Sequence, residues 1–97
     1  MILNELATAL QKAKDLGYRP VDLVIMNMVQ EFGRNGPVPV MDVVHKCKHS
    51  SPATVHEQIK LLVSLDILKK VDSAVDVRLK HLEKGDQFDN VVQLLTN

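Results

Sequence analysis

The sequence predicts a mainly α-helical single domain that carries a small antiparallel β-hairpin. The chain has only 97 residues, a length that suits one domain. Apolar residues recur at spacings of three and four along most of it, which is the helical period, whereas residues 76–81 alternate polar and apolar like a strand. We divide residues 1–97 into an N-terminal helix and turn (1–19), a core (20–82) and a C-terminal helix (83–97).

The first two helices are predicted from their apolar patterns and from the residues that bound them. Residues 3–16 place six apolar side chains on one helical face, and Gly17 is a typical stop signal. Pro20 suits the first position of the next helix. Residues 20–32 are apolar around much of the circumference, so we expect this helix to be central and buried. Residues 33–37 then form a turn.

Two further helices are predicted after that turn. Residues 37–40 contain two prolines and predict an extended link, and residues 41–48 predict a helix of about two turns. Ser51 is a good N-cap, and Pro52 fits the first turn of the following helix, which runs to about Leu65. The inward positions of that helix are Val55, Ile59, Leu62 and Val63.

The remaining segments predict a hairpin and a last helix. Residues 67–71 and 76–81 are the two expected strands, and residues 72–75 are the turn between them. Residues 87–95 carry a final apolar stripe at helical spacing. A helix–turn–helix followed at once by a hairpin is a winged helix, so the predicted fold class is a winged helix-turn-helix.

Composition excludes several classes of protein. The chain has 12 basic and 12 acidic residues, so it has no strongly basic or acidic character overall. It has no Trp, one Tyr and two Phe, too few for an aromatic platform that stacks single-stranded bases. Apolar runs are too short for a membrane helix. A single cysteine and no signal-peptide pattern at the N-terminus predict a reducing, cytoplasmic environment.

The middle of the chain resembles MarR-type winged-helix regulators over roughly residues 20–92. Two stretches carry the resemblance, one in the second half of the helix–turn–helix and one around the hairpin. The first is Ser51-Pro52-Ala53-Thr54-Val55 with Ile59, Leu62 and Ile67-Leu68-Lys69-Lys70, and the second is Asp76-x-Arg78 followed by Leu82-Glu83-Lys84-Gly85. The resemblance implies that the first is a recognition helix and wing strand, and that residues 82–85 open the last helix.

The chain departs from the family pattern at three places. Asp66 stands where the family has Gly, which predicts a left-handed backbone at an aspartate. The segment between Val71 and Leu82 is short, which predicts a stubby wing. The terminal helices are brief, and since they enclose the effector pocket in the family, whether this chain has an effector stays open.

The resemblance implies double-stranded DNA as the partner. In a helix–turn–helix the second helix enters the major groove with its N-terminal end toward the bases. The segment from His45 to Lys84 has eight basic and five acidic residues, while the rest has four and seven. Positive charge therefore concentrates where DNA would lie. The predicted DNA-contact residues are Ser50, Ser51, Ala53, Thr54, His56, Glu57, Lys60, Lys69, Lys70, Arg78 and Lys80.

Other functions are weighed against this one. A winged helix can serve only to dock a protein partner, and a small plasmid or phage replication or partition factor would have the same fold. Catalysis has no support, because no phosphate loop or nucleophile elbow is present, and no cofactor is expected. His45 and His49 share a helical face from which Cys47 points away, so no metal site is predicted. We expect Cys47 to be a core residue, with redox sensing as the alternative.

The two end helices predict a homodimer. Each carries an apolar stripe that a domain of this size could leave exposed, and in the resembled family such helices interleave around a two-fold axis. The predicted dimerisation residues are Leu3, Leu6, Leu10, Phe88, Val91 and Leu95. Packing on the chain's own central helix is the alternative.

Overall fold

A computed structural model describes residues 3–73, 75 and 79–96, except for the side chains of residues 3–6. The elements follow the predicted order, and a single 3₁₀ turn, Gly33–Asn35, follows the second helix. The elements are α1 (Leu3–Asp15), α2 (Pro20–Phe32), β1 (Val38–Pro39), α3 (Val40–Lys46), α4 (Pro52–Ser64), β2 (Leu68–Asp72), β3 (Lys80–Lys84) and α5 (Phe88–Thr96).

Helix boundaries lie where the local chemistry predicts them. Gly17 adopts a φ of 88° after α1, a left-handed conformation that an L-residue with a side chain rarely takes. Pro20 opens α2 and Pro52 opens α4. The Ser51 hydroxyl accepts a hydrogen bond from the Thr54 backbone N–H at 3.2 Å, which satisfies one of the donors left over at the start of α4.

Helix α2 is the central helix, as its composition predicts. It contacts α1, α3, α4 and β3, and its Ile25, Met26 and Val29 are buried in the aliphatic core. Its outer surface is partly open to solvent, because Val24 and Phe32 are about half exposed. Burial of aliphatic side chains between α2 and its neighbours is the main stabilising contribution to the fold.

A three-stranded antiparallel sheet has the order β1-β3-β2. Val38 lies opposite Leu82, and Asp72 lies opposite Lys80. The second hairpin strand was expected over residues 76–81. Residues 76–78 lie outside the described part, Leu79 is not in a strand, and residues 80–81 belong to β3. The expectation that residues 82–85 open the last helix is wrong, since β3 continues to Lys84. Leu82 is fully buried while Leu79 is exposed, so the inward face of β3 is set by Leu82, which closes the core over α2.

The last helix lies against the first. Helix α5 contacts α1, and its Phe88, Val91 and Leu95 are 1%, 7% and 6% exposed. The expectation that these three side chains form an exposed stripe is therefore wrong, because they complete the core of the chain's own fold. Leu10 of α1 is 40% exposed, whereas the side chains of Leu3 and Leu6 lie outside the described part.

The turn after α4 confirms the prediction for Asp66, which has a φ of 60°. This turn is joined to the one that precedes α5. The Gly85 N–H donates to the Ile67 carbonyl and the Gln87 N–H donates to the Asp66 carbonyl, each at 2.9 Å. The C-terminal end of α4 is thereby fixed to the start of α5.

Candidate nucleic-acid interface

The helix–turn–helix consists of α3, a loop through residues 47–51, and α4. Cys47 ends α3 and is buried in the core, as predicted for a small apolar residue. Burial raises the pKa of the Cys47 thiol because the thiolate would lose its hydration. A thiol of this kind is unreactive at neutral pH.

One face of α4 is inside the molecule and the opposite face is in solvent. Val55, Ile59 and Leu62 are at most 1% exposed. Of the predicted contact residues on this helix, Thr54 is half-buried, and the others are exposed: Ala53, His56, Glu57 and Lys60. The structure therefore brings these side chains together on the solvent face of one helix, as a surface that can meet a groove.

The start of α4 is ordered by its own side chains. The Ser51 hydroxyl donates to the Thr54 hydroxyl oxygen at 2.9 Å while it also caps the helix. The Thr54 hydroxyl still has its own proton to donate, since a hydroxyl is both a donor and an acceptor. Ser50 is half-buried and Ser51 is exposed. The hydroxyls of Ser51 and Thr54 are thus held in fixed positions at the N-terminal end of α4, the end that would approach DNA.

Basic side chains flank this end of the helix. Lys46, Lys48 and His49 are exposed in α3 and the loop that follows it. The Lys46 ammonium lies 4.2 Å from the centre of the Phe32 ring, a cation–π contact that holds it against the end of α2. The sequence-based set of contact residues omitted all three. Their position at the end of the first helix of the motif and in the turn after it is the signal that would have indicated them, because in a helix–turn–helix that part lies toward the DNA backbone.

The lysines of the wing do not form one patch. Neighbouring residues of a strand point to opposite faces, and residues paired in register share a face. Lys70 pairs with Leu82 and Asp72 with Lys80, so Lys70 and Lys80 lie on the face of Leu82. Lys69 pairs with Glu83 and lies on the other face. Arg78 lies outside the described residues.

Two of the predicted DNA-contact lysines on the wing are engaged in ion pairs within the chain. The Lys69 ammonium lies 3.7 Å from an Asp86 carboxylate oxygen, and the Lys80 ammonium contacts the Asp72 carboxylate. All four side chains are about half exposed or more. Solvent screens such pairs, so giving one up to a phosphate costs at most about 1 kcal/mol.

A shallow cleft of about 300 Å³ opens elsewhere on the molecule. It lies between the C-terminal part of α2, the 3₁₀ turn and β3, and none of the predicted DNA-contact residues lines it. The lining residues are Val29, Gln30, Gly33, Arg34, Gly36, Glu83 and Lys84.

The described part of the chain contains neither a metal-binding cluster nor a membrane-spanning helix. No group of three or more His, Cys, Asp and Glu side chains is arranged to hold a metal ion there. The helices of that part are too short or too polar to cross a bilayer.

Comparison with solved structures identifies the fold. A Staphylococcus aureus MepR mutant bound to an oligodeoxyribonucleotide matches with a TM-score of 0.79 at 16% identity, over 96% of this chain and 66% of that one. A MarR-like transcription regulator from Bacillus cereus matches with a TM-score of 0.71 at 8% identity, over 95% of this chain and 63% of that one. The chain has the winged-helix fold of MarR-type regulators. The adhesin competence repressor AdcR of Streptococcus pyogenes matches with a TM-score of 0.63 at 24% identity. That match covers 96% of this chain and 66% of AdcR.

These matches establish the fold, and the chain spans just under two thirds of the length of those regulators. No protein-family model matches the sequence. A search of curated proteins also found no match.

Proposed function

We propose that this chain is a winged-helix transcriptional regulator that binds double-stranded DNA with α4 in the major groove. The observation that carries the proposal is the solvent face of α4, which projects polar side chains from a helix–turn–helix whose fold matches a regulator bound to an oligodeoxyribonucleotide. We place the protein in the cytoplasm, where its DNA target would be, and assign it no catalytic activity.

The side chains divide by the part of DNA they would reach. Thr54, His56 and Lys60 follow one another along the exposed face of α4 and are suited to base edges and phosphates. Glu57 on the same face accepts from a cytosine amine but repels phosphate, so it favours particular sequences rather than tight binding. The remaining proposed contacts are to the backbone, from Ser50, Ser51, Lys69, Lys70, Arg78 and Lys80, with Ala53 in van der Waals contact.

Salt dependence tests whether DNA is the ligand. Affinity for duplex DNA should fall steeply between about 50 and 200 mM salt, because each phosphate contact releases bound counterions. Lys60→Glu should lower the affinity and reduce the slope of log K against log salt by about 1. Arg34→Glu, at an exposed position of the 3₁₀ turn and outside both α4 and the α1–α5 layer, is the matched control and should leave both quantities unchanged. Weak binding that does not respond to salt would instead favour a protein-docking module.

Selection of bound genomic fragments would identify the site. Recovery of a pseudo-palindrome whose half-sites lie about one helical turn apart is expected for two recognition helices related by a two-fold axis. Recovery of no common sequence would contradict sequence-specific regulation.

We also propose a homodimer, through a different surface from the one that the sequence predicts. Phe88, Val91 and Leu95 are buried in the chain itself, so the partner would contact the outer side of the α1–α5 layer, where Leu10 and Leu94 are 40% and 59% exposed. Leu94→Glu should convert the dimer to a monomer in mass measurements, because an ion buried at an interface is costly. Leu61→Glu, which changes a 43% exposed leucine of α4, should leave the dimer intact.

A further inference from the structure

One buried polar pair joins α2 to α4. Asp22 is fully buried and Gln58 is 7% exposed, and the other buried side chains of the described residues are apolar. The Gln58 Nε2 donates to Asp22 Oδ1 at 2.6 Å. The other carboxylate oxygen, Oδ2, accepts from the Arg19 backbone N–H at 2.8 Å. A single carboxylate therefore connects the start of α2 to the middle of α4.

The backbone bonds between the two turns fix only the C-terminal end of α4. Along the rest of the helix, Val55, Ile59 and Leu62 pack against the core through contacts that have no preferred direction of their own. A hydrogen bond is directional and weakens steeply with distance and angle. Rotation of α4 by about 20° would carry the end of a side chain about 7 Å from the helix axis through about 2 Å. The bond from Gln58 to Asp22 would break.

Breaking this bond is costly because the acceptor is a buried carboxylate. A buried charge needs its hydrogen-bond donors, since it has given up water. The pair therefore adds a directional constraint at the middle of α4 to its apolar contacts, which is the kind of specificity that a buried polar group can add to an apolar interface.

We propose that Asp22 and Gln58 are positioning residues that fix the rotation of α4 and so align its exposed side chains with base edges. This inference rests on the proposed DNA-binding function. Base readout requires side chains placed to within about 0.5 Å, whereas attraction to phosphates tolerates displacement because it acts over a Debye length. Loss of the pair should therefore lower discrimination between sequences and leave non-specific affinity unchanged.

Three variants separate positioning from stability. Gln58→Met keeps the length of the side chain but removes the donor, so it should lower both stability and discrimination. The double variant Asp22→Leu/Gln58→Met removes the buried carboxylate together with its donor Gln58. It also gives up the bond from the Arg19 N–H, so it should recover part of the stability lost in Gln58→Met and none of the discrimination. Asp22→Asn can accept from Arg19 through its oxygen and donate to the Gln58 amide oxygen after that amide flips. It should retain discrimination.

The test is the ratio of two affinities for each folded protein. One duplex is a fragment selected by the wild-type protein, and the other has the same length and composition in scrambled order. The ratio should fall at least about tenfold in Gln58→Met and in the double variant, while affinity for the scrambled duplex stays within about twofold. Circular dichroism confirms that each variant is folded at the assay temperature.

The outcomes are distinguishable. A wild-type ratio in the double variant would overturn the positioning role of Asp22 and Gln58 while leaving the proposed function intact. Loss of discrimination in Gln58→Met that is restored in the double variant would show that the pair acts through stability alone. A wild-type protein that binds neither duplex would overturn the proposed function, and this inference with it.

Discussion

Gly85 is the position where a single methyl group should do most damage to the fold. The backbone of the turn before α5 passes so close to the turn after α4 that a Cβ on Gly85 would overlap the Asp66 carbonyl oxygen. It would also lie 2.7 Å from the Asp66 carbonyl carbon and 2.9 Å from that of Ile67. Neither neighbour is a flexible side chain, so the backbone itself must move in Gly85→Ala.

The cost follows from what that movement breaks. The Gly85 N–H and the Gln87 N–H each donate to a backbone carbonyl of the facing turn at 2.9 Å, and a net loss of about 1 kcal/mol for each is typical. Displacing packed backbone adds about 1–3 kcal/mol. The free energy of unfolding should thus fall by about 3–5 kcal/mol. For a domain of this size the melting temperature should fall by roughly 12–25 °C.

Thermal unfolding followed by circular dichroism measures the effect, with Gly33→Ala as the control. A Cβ on Gly33 would lie 3.6 Å from a Val38 methyl group, an ordinary contact, so its melting temperature should change by no more than about 3 °C. If Gly85→Ala melted as close to the wild type as Gly33→Ala does, the two turns would not meet as described.

Three further predictions concern stability. Asp66→Val should lower the free energy of unfolding by about 1–2 kcal/mol, because a β-branched residue is strained at a φ of 60°. Asp66→Gly should be at least as stable as the wild type. Equal stability of the two variants in denaturant titrations would contradict this prediction. Ser51→Ala should cost about 1 kcal/mol through loss of the cap to Thr54, and an unchanged denaturation midpoint would argue against the cap. Burial raises the pKa of the Cys47 thiol, so the unfolded chain loses this proton at a lower pH than the folded chain does. The free energy of unfolding should therefore decline as pH rises above about 9. Cys47→Ala should lack that part of the decline, and identical pH profiles of the two proteins would refute the prediction.

The sequence by itself determined the elements whose signals are local. Gly17, Pro20, Ser51 and Pro52 bound their helices through backbone conformation and capping, which act within a few residues. The left-handed turn at Asp66 was predicted from the resemblance, because the family has Gly at that position. The winged-helix order followed from these helices and the hairpin, because short connections leave few ways to join them.

Only the tertiary structure decided the matters that depend on residues distant in the chain. The register of β3 follows from Leu82 packing over α2 beside Val38, and local alternation around Leu79 cannot reveal that partner. Helix α5 is an amphipathic stripe in the sequence, but the burial of that stripe depends on how α5 packs against α1 and the core.

The pair of Asp22 and Gln58 is the clearest case of this kind. Gln58 stands at core spacing between Val55 and Leu62 on α4, a visible sign that a polar side chain faces inward. Its partner is 36 residues away. Hydrogen bonds and burial depend on distance in space, and periodicity reports only which face of an element points inward, so the fold alone could bring these two side chains together.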